Sequence, residues 1–192
     1  LHVRSRRQRQ MCIRDSIQTI MQKLNQQPDI CPYFSPEFKV IPQYIIMKEG
    51  ECMELNNRTT SFFIFILSGE ITISFEQYTN RSVLENEMFF LPKNNCFKWK
   101  AVTQTVLILT GYNATIFPCT SVRARILYKI KAGVKFDCRG VVMKDEVKVV
   151  VNQMKHYLES GINCHHMYIL KHKELYLMFK HFYTYEEIIQ IF

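Results

Sequence analysis

The chain has 192 residues, 47% of them hydrophobic and 22% charged, enough for one core-forming domain or one domain with a small appendage. No apolar run approaches the roughly 20 residues of a membrane helix, and the seven cysteines form no C-x-x-C pair and follow no secretory signal, so reduced thiols in a cytoplasmic setting are expected. The formal charge of +8 is concentrated at the start: outside Arg4, Arg6, Arg7, Arg9 and Arg14 the chain holds 20 basic against 17 acidic residues, or +3, which excludes an electrostatic argument for a DNA-binding surface.

In chain order, residues 5–16, SRRQRQMCIRDS, resemble the translation of sequencing-adapter DNA, and residues 1–16 are expected to be non-native. The functional alternative is a basic arm or a targeting peptide. Residues 17–37 hold a short helical pattern, with Ile17, Ile20, Met21 and Leu24 on one face, then an extended lead-in broken by Pro28, Pro32 and Pro36. Residues 38–142 are expected to form an antiparallel β-barrel. Short strand patterns follow one another to Tyr112, separated by Lys48-Glu49-Gly50, Asn56-Asn57, Ser68-Gly69 and Asn94-Asn95, with no helix between them.

Two strands carry most of the information. In residues 96–101, Phe97, Trp99 and Ala101 alternate with Lys98 and Lys100, so one face points inward and the lysines face water. Residues 62–67, FFIFIL, are apolar on both faces and require cover on both, from the barrel interior and from a helix or a partner chain. From Val141 the period changes from two to about 3.6. Val147, Val150, Val151, Met154 and Leu158 form a stripe stopped by Gly161, and these five are the expected dimer interface. A second helix is expected over 164–182. Thr184-Tyr185-Glu186-Glu187 has the form of a capping box that starts a third, and its pattern stops within two turns, so the chain reads as a fragment at both ends.

Little in the sequence suggests catalysis. There is no G-x-S-x-G elbow and no glycine-rich phosphate loop, so the chain is read as a non-enzyme without cofactor or catalytic residue. Phe63, Phe65, Phe97 and Trp99 are the candidates for an aromatic ligand pocket, against the competing reading of a barrel filled by its own side chains. Cys164 with His156, His165, His166, His172 and His181 invites a zinc hypothesis. Interleaved Lys171, Lys173 and Lys180 would repel a cation, and no H-x-x-x-H spacing occurs, so no metal is expected.

Taken in order, KVIPQYIIMKEGECMEL, FFIFILSGEITISF, LENEMFFLPKNNCFKWKA and TVLILTGY resemble the N-terminal cupin of AraC-type transcription regulators of the Bacteroidetes kind. The tail YLESGINCHHMYILKHKELYLMFKHFYTYEEIIQIF is similar to the helical linker that follows that cupin. The resemblance covers about residues 17–192 and implies a mainly β fold with C-terminal helices: a cupin-like antiparallel β-barrel followed by a two- to three-helix linker over 143–192. It implies a homodimer that senses a small-molecule effector and reaches DNA only through a C-terminal helix-turn-helix domain absent from this chain. The alternative is a free-standing, metal-free cupin that binds a small molecule. Catalytic cupins carry histidines and a glutamate on two strand units. Here the first unit would fall near residues 56–63, Phe97 takes the likely histidine place of the second, and the barrel offers Cys52 and Cys96 at best.

Overall fold

The computed structural model describes residues 42–57, 60–75, 78–112, 139–162 and 164–191, so the expectations for residues 1–37 lie outside the described residues. Nine strands form: β1 (Gln43–Met47), β2 (Cys52–Asn57), β3 (Ser61–Ser68), β4 (Glu70–Phe75), β5 (Tyr78–Leu84), β6 (Glu87–Leu91), β7 (Asn95–Ala101), β8 (Thr105–Tyr112) and β9 (Val141–Val142). Three helices follow: α1 (Asp145–Glu159), α2 (His165–Phe182) and α3 (Tyr185–Ile191). The strand segments are rich in the β-branched and aromatic residues that fit a pleated, half-buried surface. The turns fall where the chain offers residues that tolerate a left-handed backbone: Gly50, Gly69, Asn86 and Asn94 all have positive φ.

The strands pair antiparallel in two sheets, ordered β1-β8-β3-β6-β9 and β2-β7-β4-β5. Over the first eight strands the chain crosses between sheets at nearly every connection, only β4 and β5 being consecutive in one. This is the double-sheet jelly roll on which cupins are built. The fold is thus the expected one, mainly β and cupin-like with C-terminal helices.

The inner faces of the two sheets enclose Ile64, Ile66, Ile71, Ile73, Phe97 and Trp99 with their neighbours. Strict alternation in β4 and β7 leaves their other faces in water. The first sheet has no wet face at its centre. Phe63, Phe65, Met88, Phe90 and Ile108 point out of the sandwich into a second core shared with Val147, Val150, Val151 and Met154 of α1, and with Tyr168, Leu175 and Phe179 of α2. The double cover expected for residues 62–67 is therefore supplied by the chain's own helices.

Helix ends are built as the sequence suggested. Gly161 (φ 70°) closes α1, with the Gly161 N–H donating to Leu158 O at 3.1 Å and the Ile162 N–H to Tyr157 O at 2.9 Å, a Schellman pair. Thr184 and Glu187 form the capping box: the Glu187 N–H donates to Thr184 Oγ1 (3.3 Å) and the Thr184 N–H to Glu187 Oε2 (2.7 Å). Lys144 Nζ joins Glu187 at 3.1 Å, which ties the start of α1 to the start of α3. Among the described residues no helix is long and apolar enough to cross a membrane.

Candidate functional site

The four aromatic candidates do not converge. Phe97 and Trp99 lie inside the sandwich at 0% and 2% exposure, with the Phe97 ring 4.7 Å from that of Phe75. Phe63 and Phe65 point the other way, beneath the helices, where Phe63 stacks among Phe65 (5.8 Å), Phe90 (5.1 Å), Tyr112 (5.8 Å) and Phe179 (5.7 Å). The sheet that carries β3 separates the two pairs, so a single pocket lined by all four is corrected to two cores. Because β3 is apolar on both faces, its sequence alone does not decide which set turns inward.

The expected dimer interface is corrected in the same way. Val147, Val150, Val151 and Met154 are at most 1% exposed and Leu158 is partly buried, all against the first sheet. A helical stripe reports that a face is covered, not whose surface covers it. The apolar side chains left exposed on the helices are others, notably Leu170 and Leu177 of α2 and Val149 of α1.

Inside the sandwich, β2 pairs Met53 with Trp99 and Leu55 with Phe97 across to β7. The interior at these positions is thus aromatic and aliphatic, with Met47 and Met53 among its side chains. Cys52 and Cys96 are exposed, on the outer face of the second sheet. Cys96 Sγ donates to Glu54 Oε1 at 3.1 Å, and this hydrogen bond, then burial and the Glu54 charge, raise its pKa. Among the described residues no group of three or more His, Cys, Asp or Glu is placed to hold a metal ion.

The helical histidines divide by environment. His172 Nε2 lies 2.7 Å from Oγ1 of Thr110, a fully buried residue of β8, so the two close a polar contact inside an otherwise apolar helix–sheet seam. Burial, and secondarily the neighbouring His165, push the His172 pKa down to about 4. His165 is lowered too, by burial and then by His166. Neutral imidazoles are what this seam accommodates. Sequence reading placed these histidines in the linker but had no signal for the Thr110 contact, which spans 62 residues.

A depression of about 370 Å³ lies on the second sheet, lined by Glu54, Thr72, Ser74, Asn80, Lys98 and Lys100 together with Cys52, Met53 and Trp99. Register explains it. Lys100 sits between Cys52 and Thr72 on the neighbouring strands, and Lys98 between Glu54 and Ser74. The Lys98–Glu54 pair is long, 3.8 Å, between side chains 70% and 58% exposed, and contributes little. The Lys98/Lys100 alternation was visible in the sequence; the hydroxyls and the amide that flank it come from strands whose pairing was not.

No protein-family model matches the chain, and no curated protein matches it. Solved structures do. A conserved protein of unknown function from Streptococcus pyogenes is similar at 19% identity and TM-score 0.35, over 38% of this chain and 62% of that one. The cupin domain of Schizosaccharomyces pombe Cnp3 is similar at 19% identity and TM-score 0.38, over 43% and 59%. A cupin-2 domain protein from Shewanella frigidimarina is similar at 16% identity and TM-score 0.33, over 36% and 66%. The chain thus spans less than two thirds of each of these structures. Its assignment as a cupin-type jelly roll rests on its own strand order.

Proposed function

We propose that this chain is the effector-sensing and dimerisation part of an AraC-type transcription regulator. The observation that carries the reading is the docking of α1 and α2 on the outer face of the first sheet, through the shared core of Phe63, Phe65, Phe90, Val150 and Phe179. Packed interiors transmit displacement poorly as gradual deformation and well as a change of arrangement. Ligand-dependent repacking of the barrel would therefore be felt in the helices that lead onward. DNA contact belongs, in this reading, to a separate helix-turn-helix domain of the parent protein.

Dimerisation is assigned to α2 rather than α1. Leu170 and Leu177 are 63% and 46% exposed and lie one heptad apart on a single face, with Lys173 and Glu174 between them. A two-fold axis between positions 173 and 174 would set Leu170 of each α2 against Leu177 of the other and Lys173 beside the opposite Glu174. Such a face is self-complementary, as a closed dimer requires. The test is a fusion of the chain to a monomeric DNA-binding domain whose operator occupancy depends on pairing. Repression of a reporter is expected; a soluble, expressed fusion that fails to repress would refute the dimerisation role and favour a free-standing cupin.

A further inference from the structure

The outer face of the second sheet carries a chemistry that neither the barrel nor the helical layer uses. Lys98 and Lys100 are two residues apart on β7, an interior strand of that sheet, so both side chains leave the same face from backbone positions about 7 Å apart. On an exposed antiparallel face, opposite charges directly across the strand stabilise each other and like charges destabilise. Among the described residues the ion pair of Lys98 is the loose contact with Glu54, and the residues directly opposite Lys100 on both sides, Cys52 and Thr72, are neutral.

The depression around these lysines is rich in polar groups. The Thr72 hydroxyl donates to Lys100 O at 3.5 Å, which leaves its oxygen as an acceptor. The Asn80 N–H donates to Ser74 Oγ at 3.0 Å, and Ser74 Oγ lies 3.5 Å from Asn80 Oδ1, which leaves the Asn80 side-chain nitrogen as a further donor. Asn80 holds a positive φ of 51°, next to the irregular pairing between Ile73 and Phe75, and this fixes the wall of the depression. Set against two ammonium groups, a hydroxyl and an amide, Glu54 is the one carboxylate among the lining residues. The volume, about 370 Å³, is that of a site for one small molecule.

We propose that this depression binds a small hydroxylated oxyanion, a molecule bearing a phosphate or carboxylate together with alcohol groups. Lys98 and Lys100 hold the anionic oxygens by charge-assisted hydrogen bonds. Asn80 donates to a remaining oxygen, and Thr72 Oγ1 and Glu54 accept from alcohols. The site lies outside the sandwich, separated from the apolar interior by the backbone of the sheet, and is independent of the regulator reading.

The test is a backbone amide NMR titration of the full chain with glucose 6-phosphate, at constant ionic strength, with glucose as the uncharged control. Saturable shifts centred on Thr72, Ser74, Asn80, Lys98 and Lys100 are expected. In K98Q/K100Q, whose exposed positions leave the fold intact, affinity should fall roughly tenfold or more. Shifts that never saturate, equal binding of glucose, or unchanged affinity in the double variant would each overturn the proposal. Sedimentation of the same samples reports pairing separately, so a failed titration and a failed dimer are told apart.

Discussion

Acidification from pH 7 towards pH 4 should weaken the fold through one imidazole. His172 sits neutral against Thr110 with its pKa at about 4, whereas an unfolded histidine titrates near 6.5. As pH falls below 6.5 the unfolded chain takes up this proton first, so stability declines with falling pH and the decline from this group ends near pH 4. The gap of about 2.5 between the two values, at about 1.4 kcal/mol for each, gives an upper bound of about 3.5 kcal/mol. That is a large share of the 5–15 kcal/mol or so typical of a domain. His165, also lowered, acts in the same direction. Glu187 contributes in a lower range: burial raises its pKa, but the Thr184 N–H and Lys144 outweigh this, so its share is lost as pH drops through its lowered value, below 4.5. The assay is urea unfolding across the window for the wild type and H172Q, whose amide keeps a hydrogen-bonding partner for Thr110 without titrating. H172Q should flatten the curve between pH 6.5 and 4; an undiminished slope in H172Q, or a His172 resonance titrating near 6.5, would refute the reasoning.

Three further outcomes follow from packing and backbone geometry. Phe63→Ala removes a 4% exposed ring shared by four other aromatics and should cost about 3–5 kcal/mol by urea unfolding; a loss under about 1 kcal/mol would mean the helical layer is not packed as described. Gly69→Ala should leave little folded protein by circular dichroism, because the residue has φ 86° and a Cβ there would press on the Gln104 carbonyl oxygen and lie 2.9 Å from Thr105 Cα; a stable, soluble variant would contradict the turn. Thr184→Ala deletes the capping-box hydroxyl and should cost about 1 kcal/mol, read as a lower urea midpoint, with no loss expected if α3 starts elsewhere.

Much of the fold was legible because local patterns and tertiary environment agree. The Phe97/Lys98/Trp99/Lys100 alternation gave both the strand and its inner face, and the apolar block of β3 implied cover on two sides. Gly161 and the Thr184/Glu187 pair marked helix ends through backbone chemistry that needs no tertiary partner. What local pattern did not decide was which surface covers a given apolar face. Val141 and Val142 fall inside the expected barrel boundary of residues 38–142, although the helical period is read from Val141 on, and they pair with Met88 and Glu87 as a two-residue strand before α1. The α1 stripe was read correctly as covered but given to a second copy instead of the chain's own sheet. The site reading suffered most, since Phe63 and Phe97 are both strand aromatics by sequence and belong to opposite sides of one sheet.

The central proposal, a dimerising regulatory domain, is tested most directly by sedimentation equilibrium of the full chain beside L170E/L177E. Both leucines are exposed, so the substitutions leave the core untouched. The account predicts a dimer for the wild type and a folded monomer for the variant. A wild-type chain that remains monomeric at high concentration, or a variant that still pairs, would contradict it.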